Sequence, residues 1–184
     1  MKGVVFNLLE QTVSRDYGED TWDELLDAAG LDGAYTSLGS YDDADLGKLV
    51  HAASVALDTP ADDIVRWFGR NALPLFAESY PQLFAPHSDA RSFVLTLNDI
   101  IHPEVRKLYP GADVPEFDFE ISADGGLSMG YRSPRKLCSF AEGLLEGSGV
   151  HFGETVRIEQ PQCMKRGDLQ CLLEIAFSPV DSGS

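Results

Sequence analysis

Over roughly the first 110 residues, apolar side chains recur at the spacing of helices. Phe6, Leu9 and Val13 share one face of an opening segment, and Thr21 caps a second that runs through Ala29. Asp43 leads into Leu46, Leu49, Val50, Ala53 and Leu57. Thr59-Pro60 then supplies a cap and a first-turn proline for a helix carrying Ile64, Val65, Trp67 and Phe68. Pro74 should bend the far end of that helix. A longer helix is predicted from about Asp89 to Leu108, with Phe93, Val94, Leu97, Ile101, Val105 and Leu108 on its apolar side. Pro110-Gly111 stops it.

The period then shortens to two. Phe117, Phe119 and Ile121 alternate, Asp124-Gly125-Gly126 turns, and Leu127, Met129 and Tyr131 alternate again, which predicts a hairpin. Ser133-Pro134 is expected to open a helix through about Gly149. Val156 and Ile158 mark a third strand and Lys165 to Asp168 its turn region. Leu169, Cys171, Leu173, Ile175 and Phe177 mark a fourth strand. The expected fold class is α+β: a helical lobe over about residues 1–60, then an α/β lobe over about 61–178 built on a mainly antiparallel four-stranded sheet. Residues 1–184 read as a single domain with a frayed tail at 179–184.

Composition narrows the function. A chain of 184 residues that is 43% apolar can bury a core and still enclose a pocket. A formal charge of −16 argues against nucleic acid and anionic membrane surfaces. The stretch from Asp16 to Asp32 holds seven carboxylates and reads as a solvated face, or as a docking surface for a basic partner. Met1 to Glu10 is too short and polar for a signal peptide, and no apolar run approaches the ~18 residues of a membrane span. Three cysteines without an export signal point to a reducing cytoplasm.

Two features carry chemistry. His102 sits late in the long apolar pattern and is followed by Pro103, which removes one helical hydrogen bond and should loosen the helix there. A ligand held beside such strain lets go more easily, although a solitary histidine can equally be a satisfied core or surface residue. Tyr131-Arg132-Ser133-Pro134-Arg135 comes second. An extended backbone sends Tyr131, Ser133 and Arg135 to one side, where a phenol, a hydroxyl and a guanidinium can grip a carboxylate. On its own Ser133 is also an ordinary helix cap. Together, one histidine and a carboxylate clamp are what a buried metal porphyrin with acidic arms requires.

With Met1-Lys2-Gly3-Val4-Val5-Phe6-Asn7, these features resemble the haem nitric oxide/oxygen binding (H-NOX, HNOB) family, related to the haem domain of soluble guanylate cyclase. The resemblance spans Met1 to Phe177. It implies haem b buried between the lobes, with His102 as the axial iron ligand and the propionates on Tyr131, Ser133 and Arg135. Pro115, otherwise an ordinary residue at the start of a strand, would press on and distort the porphyrin. Members of the family that hold oxygen use a tyrosine on the next helix, and the matching residue here is Phe140. The resemblance thus implies an apolar distal pocket of Val5, Leu9, Phe140, Leu144 and Leu145, which favours nitric oxide and carbon monoxide over oxygen. Asn7, Gln11 and Ser139 remain candidate donors.

The same resemblance implies a stand-alone sensor with no catalysis of its own, signalling to a histidine kinase or a cyclic-di-nucleotide enzyme. Some relatives also bind zinc through three cysteines and a histidine. Here Cys138, Cys163 and Cys171 match, but Gln160 stands at the histidine position. Either His151 substitutes, a water completes the site, or no metal binds. A zinc or thiol redox sensor and a haem-free receptor for a small molecule are the alternative readings. No evident distal histidine–arginine pair supports a peroxidase.

Overall fold

The computed structural model describes residues 1–121 and 126–180. Four helices open the chain: α1 (Gly3–Tyr17), α2 (Glu19–Ala29), α3 (Asp43–Leu57) and α4 (Ala61–Ser79). Short helices α5 (Pro81–Phe84) and α6 (Ala90–Val94) follow, then a π-helical turn (Leu97–Ile101) and α7 (His102–Leu108). Strands β1 (Glu116–Ile121) and β2 (Leu127–Arg132) precede α8 (Cys138–Phe152). β3 (Glu154–Gln162), a 3₁₀ turn (Met164–Arg166) and β4 (Cys171–Pro179) complete the fold. The sheet is antiparallel throughout, in the order β1-β2-β4-β3. No helix among the described residues is long and apolar enough to cross a membrane.

Apolar residues gather into two cores. In the first, Phe6, Leu9 and Val13 of α1 meet Trp22, Leu26, Leu46 and Leu49, and Ile64 to Ala72 of α4 complete it. In the second, the sheet residues Leu127, Met129, Leu173 and Ile175 pack under α8 and against Leu73 and Ala77. One helix, α4, therefore serves both cores. It runs through Pro74 to Ser79 rather than ending there.

Helices α4 and α8 come close because glycines stand at the contact. A Cβ at Gly143 would fall 2.1 Å from the Arg66 carbonyl oxygen, and one at Gly69 would fall 2.5 Å from that of Phe140. Arg66 also bridges the helices, with Nη1 3.1 Å from a Glu142 oxygen and Nε 3.0 Å from Glu146. Burial pushes the Glu142 carboxyl above its ordinary value, which Arg66 partly offsets.

Three sequence expectations are corrected. The helix predicted from Asp89 to Leu108 is broken into α6, the π turn and α7, because Pro103 has no N–H and its ring clashes with a carbonyl one turn earlier. The helix expected from Ser133-Pro134 starts at Cys138 instead. Lys136 adopts a left-handed backbone (φ 52°), which ends one segment before the next begins. Leu169 is outside β4 and 94% exposed, so the alternation of the last strand begins at Cys171. The predicted Asp124-Gly125 turn and the tail beyond Val180 lie outside the described residues.

Gly143→Ala should destabilise the protein by about 1–3 kcal/mol, since neither backbone can yield without separating the helices. Urea unfolding measures it, and a midpoint equal to that of the parent would show that α4 and α8 slide freely.

Candidate functional site

Between the two cores lies a cavity of about 460 Å³ lined mostly by apolar side chains. His102 reaches it from the first turn of α7, immediately before Pro103. The preceding turn widens so that Ile100 and Ile101 both donate to the Thr96 carbonyl, at 2.9 and 3.1 Å. Asn98 Nδ2 donates to the Phe117 carbonyl at 2.7 Å and ties this turn to β1.

The backbone of Pro115 lies beside the imidazole. Burial pushes the ring's pKa down to about 4, the Arg106 charge pushes the same way, and the Pro115 backbone only partly opposes them. His102 is therefore neutral at physiological pH. A neutral imidazole has one N–H nitrogen and one that keeps a lone pair. The Phe117 ring packs at 5.4 Å, and Pro115 itself lines the cavity.

Tyr131, Ser133 and Arg135 all line the same cavity. Their convergence does not come from strand alternation alone, since β2 ends at Arg132. A turn follows, in which Lys136 N–H donates to the Ser133 carbonyl at 3.1 Å and Arg135 N–H to Ser133 Oγ at 3.3 Å. Tyr131 Oη accepts from Leu137 N–H at 3.0 Å, and burial raises its pKa. Arg135 Nε donates to Asp43 Oδ2 at 2.6 Å. Its Nη1 donates to the Asp113 carbonyl at 2.7 Å and to Asp113 Oδ2 at 3.0 Å. Nη2 makes none of these bonds. Sequence reasoning missed Asp43 and Asp113 as partners of Arg135. The one available signal was that Arg135 belongs to the few cations of an acidic chain.

Of the expected distal residues, Val5, Phe140, Leu144 and Leu145 line the cavity. Leu9 does not, which is a correction. It shares the face of Phe6 and Val13 that packs into the helical core, while Val4, Val5 and Leu8 turn toward the cavity. Phe140 stacks on Phe68 at 5.0 Å. The three candidate donors are engaged or placed elsewhere. Asn7 bonds the Tyr35 carbonyl and Ser37, Gln11 is exposed, and Ser139 Oγ receives Lys165 Nζ at 3.3 Å. The phenol of Tyr109, also at the cavity, shares a short hydrogen bond with Tyr80.

A second cluster lies apart from this cavity. Cys138 opens α8, Cys163 follows β3, and Cys171 begins β4; all three are buried and free. Their sulfurs lie within 4.8 Å of one another. Burial drives the Cys171 thiol up to about 12. It acts the same way on Cys163, but there the backbone N–H groups of Lys165 and Arg166 and the adjoining thiols outweigh it and leave that thiol below its ordinary value. His151 does not join them, because its ring packs edge-on against Phe84 and Phe152 at 4.9 and 4.7 Å. Gln160 sits in the irregular stretch of β3 opposite β4, with its Nε2 buried and without a partner.

Comparison with known proteins agrees with this geometry. The chain resembles the soluble guanylate cyclases gcy-32 and gcy-34 of Caenorhabditis elegans, with 26% identity over 140 residues. The match takes in 73% of this chain and 20% of each relative, so the chain spans about a fifth of their length. Among solved structures, an H-NOX protein from S. oneidensis in its Fe(II)NO state superimposes with a TM-score of 0.90 and 34% identity, over 97% of this chain and 99% of that one. The unliganded Fe(II) H-NOX protein from K. algicida gives 0.85 and 27%, covering both chains fully. A model of the family described as Haem-NO-binding matches residues 2–160, and the chain belongs to that family.

Proposed function

We propose that this chain senses nitric oxide and carbon monoxide through a bound haem b, discriminates against oxygen, and catalyses no reaction itself. Its signal passes to a separate effector, a histidine kinase or a cyclic-di-nucleotide enzyme. The observation that carries this reading is the neutral imidazole of His102 facing an apolar cavity that Pro115 also lines. A neutral imidazole keeps the lone pair that a metal ligand needs. The donor set fits as well, since Tyr131, Ser133 and Arg135 border the same cavity and offer polar groups to carboxylate arms.

When bound, the haem supplies a ferrous iron with an open position for a diatomic gas. The chain supplies the rest. His102 would hold the iron, with the Pro115 backbone beside its ring. Arg135 would hold an acidic arm while remaining tied to Asp43 of α3. Phe140, Val5 and Leu144 keep water and hydrogen-bond donors away from the gas. Oxygen depends on such donors more than nitric oxide or carbon monoxide does. A location in the reducing cytoplasm agrees with three free thiols. A second input through those thiols is favoured by their convergence.

His102→Gly should strip the purified, reduced protein of its Soret absorption, with imidazole added during expression restoring it. An unchanged band removes His102 as the ligand. Arg135→Ala should speed haem transfer to a scavenging apoprotein by roughly 10- to 100-fold, the loss expected for one charge-assisted bond. Phe140→Tyr should tighten oxygen binding about tenfold by adding one donor. A stable oxygenated spectrum in air from the parent protein would contradict the discrimination proposed here.

A further inference from the structure

We propose that Cys138, Cys163 and Cys171 form a three-thiolate site for a soft, three-coordinate ion, Cu(I), and not the four-ligand zinc site that the family resemblance implies. The sulfurs are placed for a single ion: Cys138 Sγ lies 3.7 Å from Cys163 Sγ, which lies 4.0 Å from Cys171 Sγ. The surrounding turn is built to receive negative charge. Met164 N–H donates to Cys171 Sγ at 3.2 Å, and the Lys165 backbone N–H lies beside the Cys163 thiol. The turn closes when Arg166 N–H donates to the Cys163 carbonyl at 2.8 Å, with Gly167 at a φ of 100° that favours glycine. Asp168 Oδ2 accepts from Cys163 N–H at 2.7 Å.

The fourth ligand is what zinc lacks here. Closed structural zinc sites hold four donors. Among the described residues, no histidine, aspartate or glutamate joins the three sulfurs. His151 is held between phenylalanines, Asp168 is spent on the turn, and Gln160 offers only a neutral amide. The thiols are buried, so bulk water does not reach a vacant position. Soft thiolates suit Cu(I), and three of them satisfy it. Charge opposes this choice by one unit, because three thiolates leave Cu(I) at −2 and zinc at −1. The ammonium of Lys165, held by Asp62 and Ser139 Oγ, and the N–H donors offset the difference. As each Cu–S bond forms, the thiol proton leaves to solvent.

Equilibrium dialysis of the intact purified protein, kept anaerobic and reduced, with Cu(I) or Zn(II) against competing chelators tests the site. Elemental analysis then gives metal per chain independently of gas binding. One copper per chain is expected, with zinc held roughly 100-fold more weakly for want of a ligand. Copper-edge absorption should show three sulfur neighbours. Cys163→Ser and Cys138→Ser, each checked for native circular dichroism, should both lose copper. Gln160→His should raise zinc affinity by about the same 100-fold factor. The proposal fails if the parent holds one zinc per chain as tightly as Gln160→His, or if neither ion binds. It also fails if both serine variants fold and keep their copper.

Discussion

The close approach of the Pro115 backbone to the buried imidazole of His102 organises the cavity wall around it. It spans the interval between α7 and the start of β1, and so sets the helix bearing the histidine beside the sheet. Because the ring is buried, charging it is costly, and the neutral form that results has one donor and one acceptor nitrogen. One nitrogen of that form keeps a lone pair, as a metal ligand must. Asn98 ties the π turn to the Phe117 carbonyl of β1. The irregular turn before His102 is thereby anchored on the sheet.

The carboxylate-binding side is organised differently. Its residues sit on a turn, and their positions are set by charge. The guanidinium of Arg135 reaches Asp43 in the helical lobe and Asp113 in the segment that also carries Pro115. The Asp43 carboxyl feels burial, which raises its pKa, yet the Arg135 and N-terminal ammonium charges prevail and hold it below the usual range. These ion pairs are only partly shielded from water, so their value lies in placement more than in stability. Arg135 is thereby aimed before any ligand arrives, which reduces the ordering that binding must impose.

Much of this was legible from the residues. Helical periodicity located α1 to α4, and alternation located the four strands. His102, Tyr131, Ser133 and Arg135 border one cavity together with Pro115, which only the family resemblance had pointed to. What escaped was tertiary. Pro103 signalled a break but not its form, since a π turn is stabilised by where Asn98 and Thr96 find partners. Ser133-Pro134 has the local signature of a helix start, yet Tyr131 Oη captures the Leu137 N–H and the helix waits until Cys138. Leu9 was placed at the cavity although its own periodicity, shared with Phe6 and Val13, assigned it to the other core. Leu169 continued a two-residue alternation that the preceding 3₁₀ turn had already ended.

Helix α4 hands over from one core to the other between Ala72 and Leu73, and Pro74 follows at once. A proline there cannot donate to the carbonyl of Arg70, and the backbone of Gly147 in α8 lies against that same oxygen. The beam common to both halves is thus most compliant at the boundary between them, while on either side its packing is tight. Flexing at that joint would let the two halves tilt relative to each other with their interiors intact.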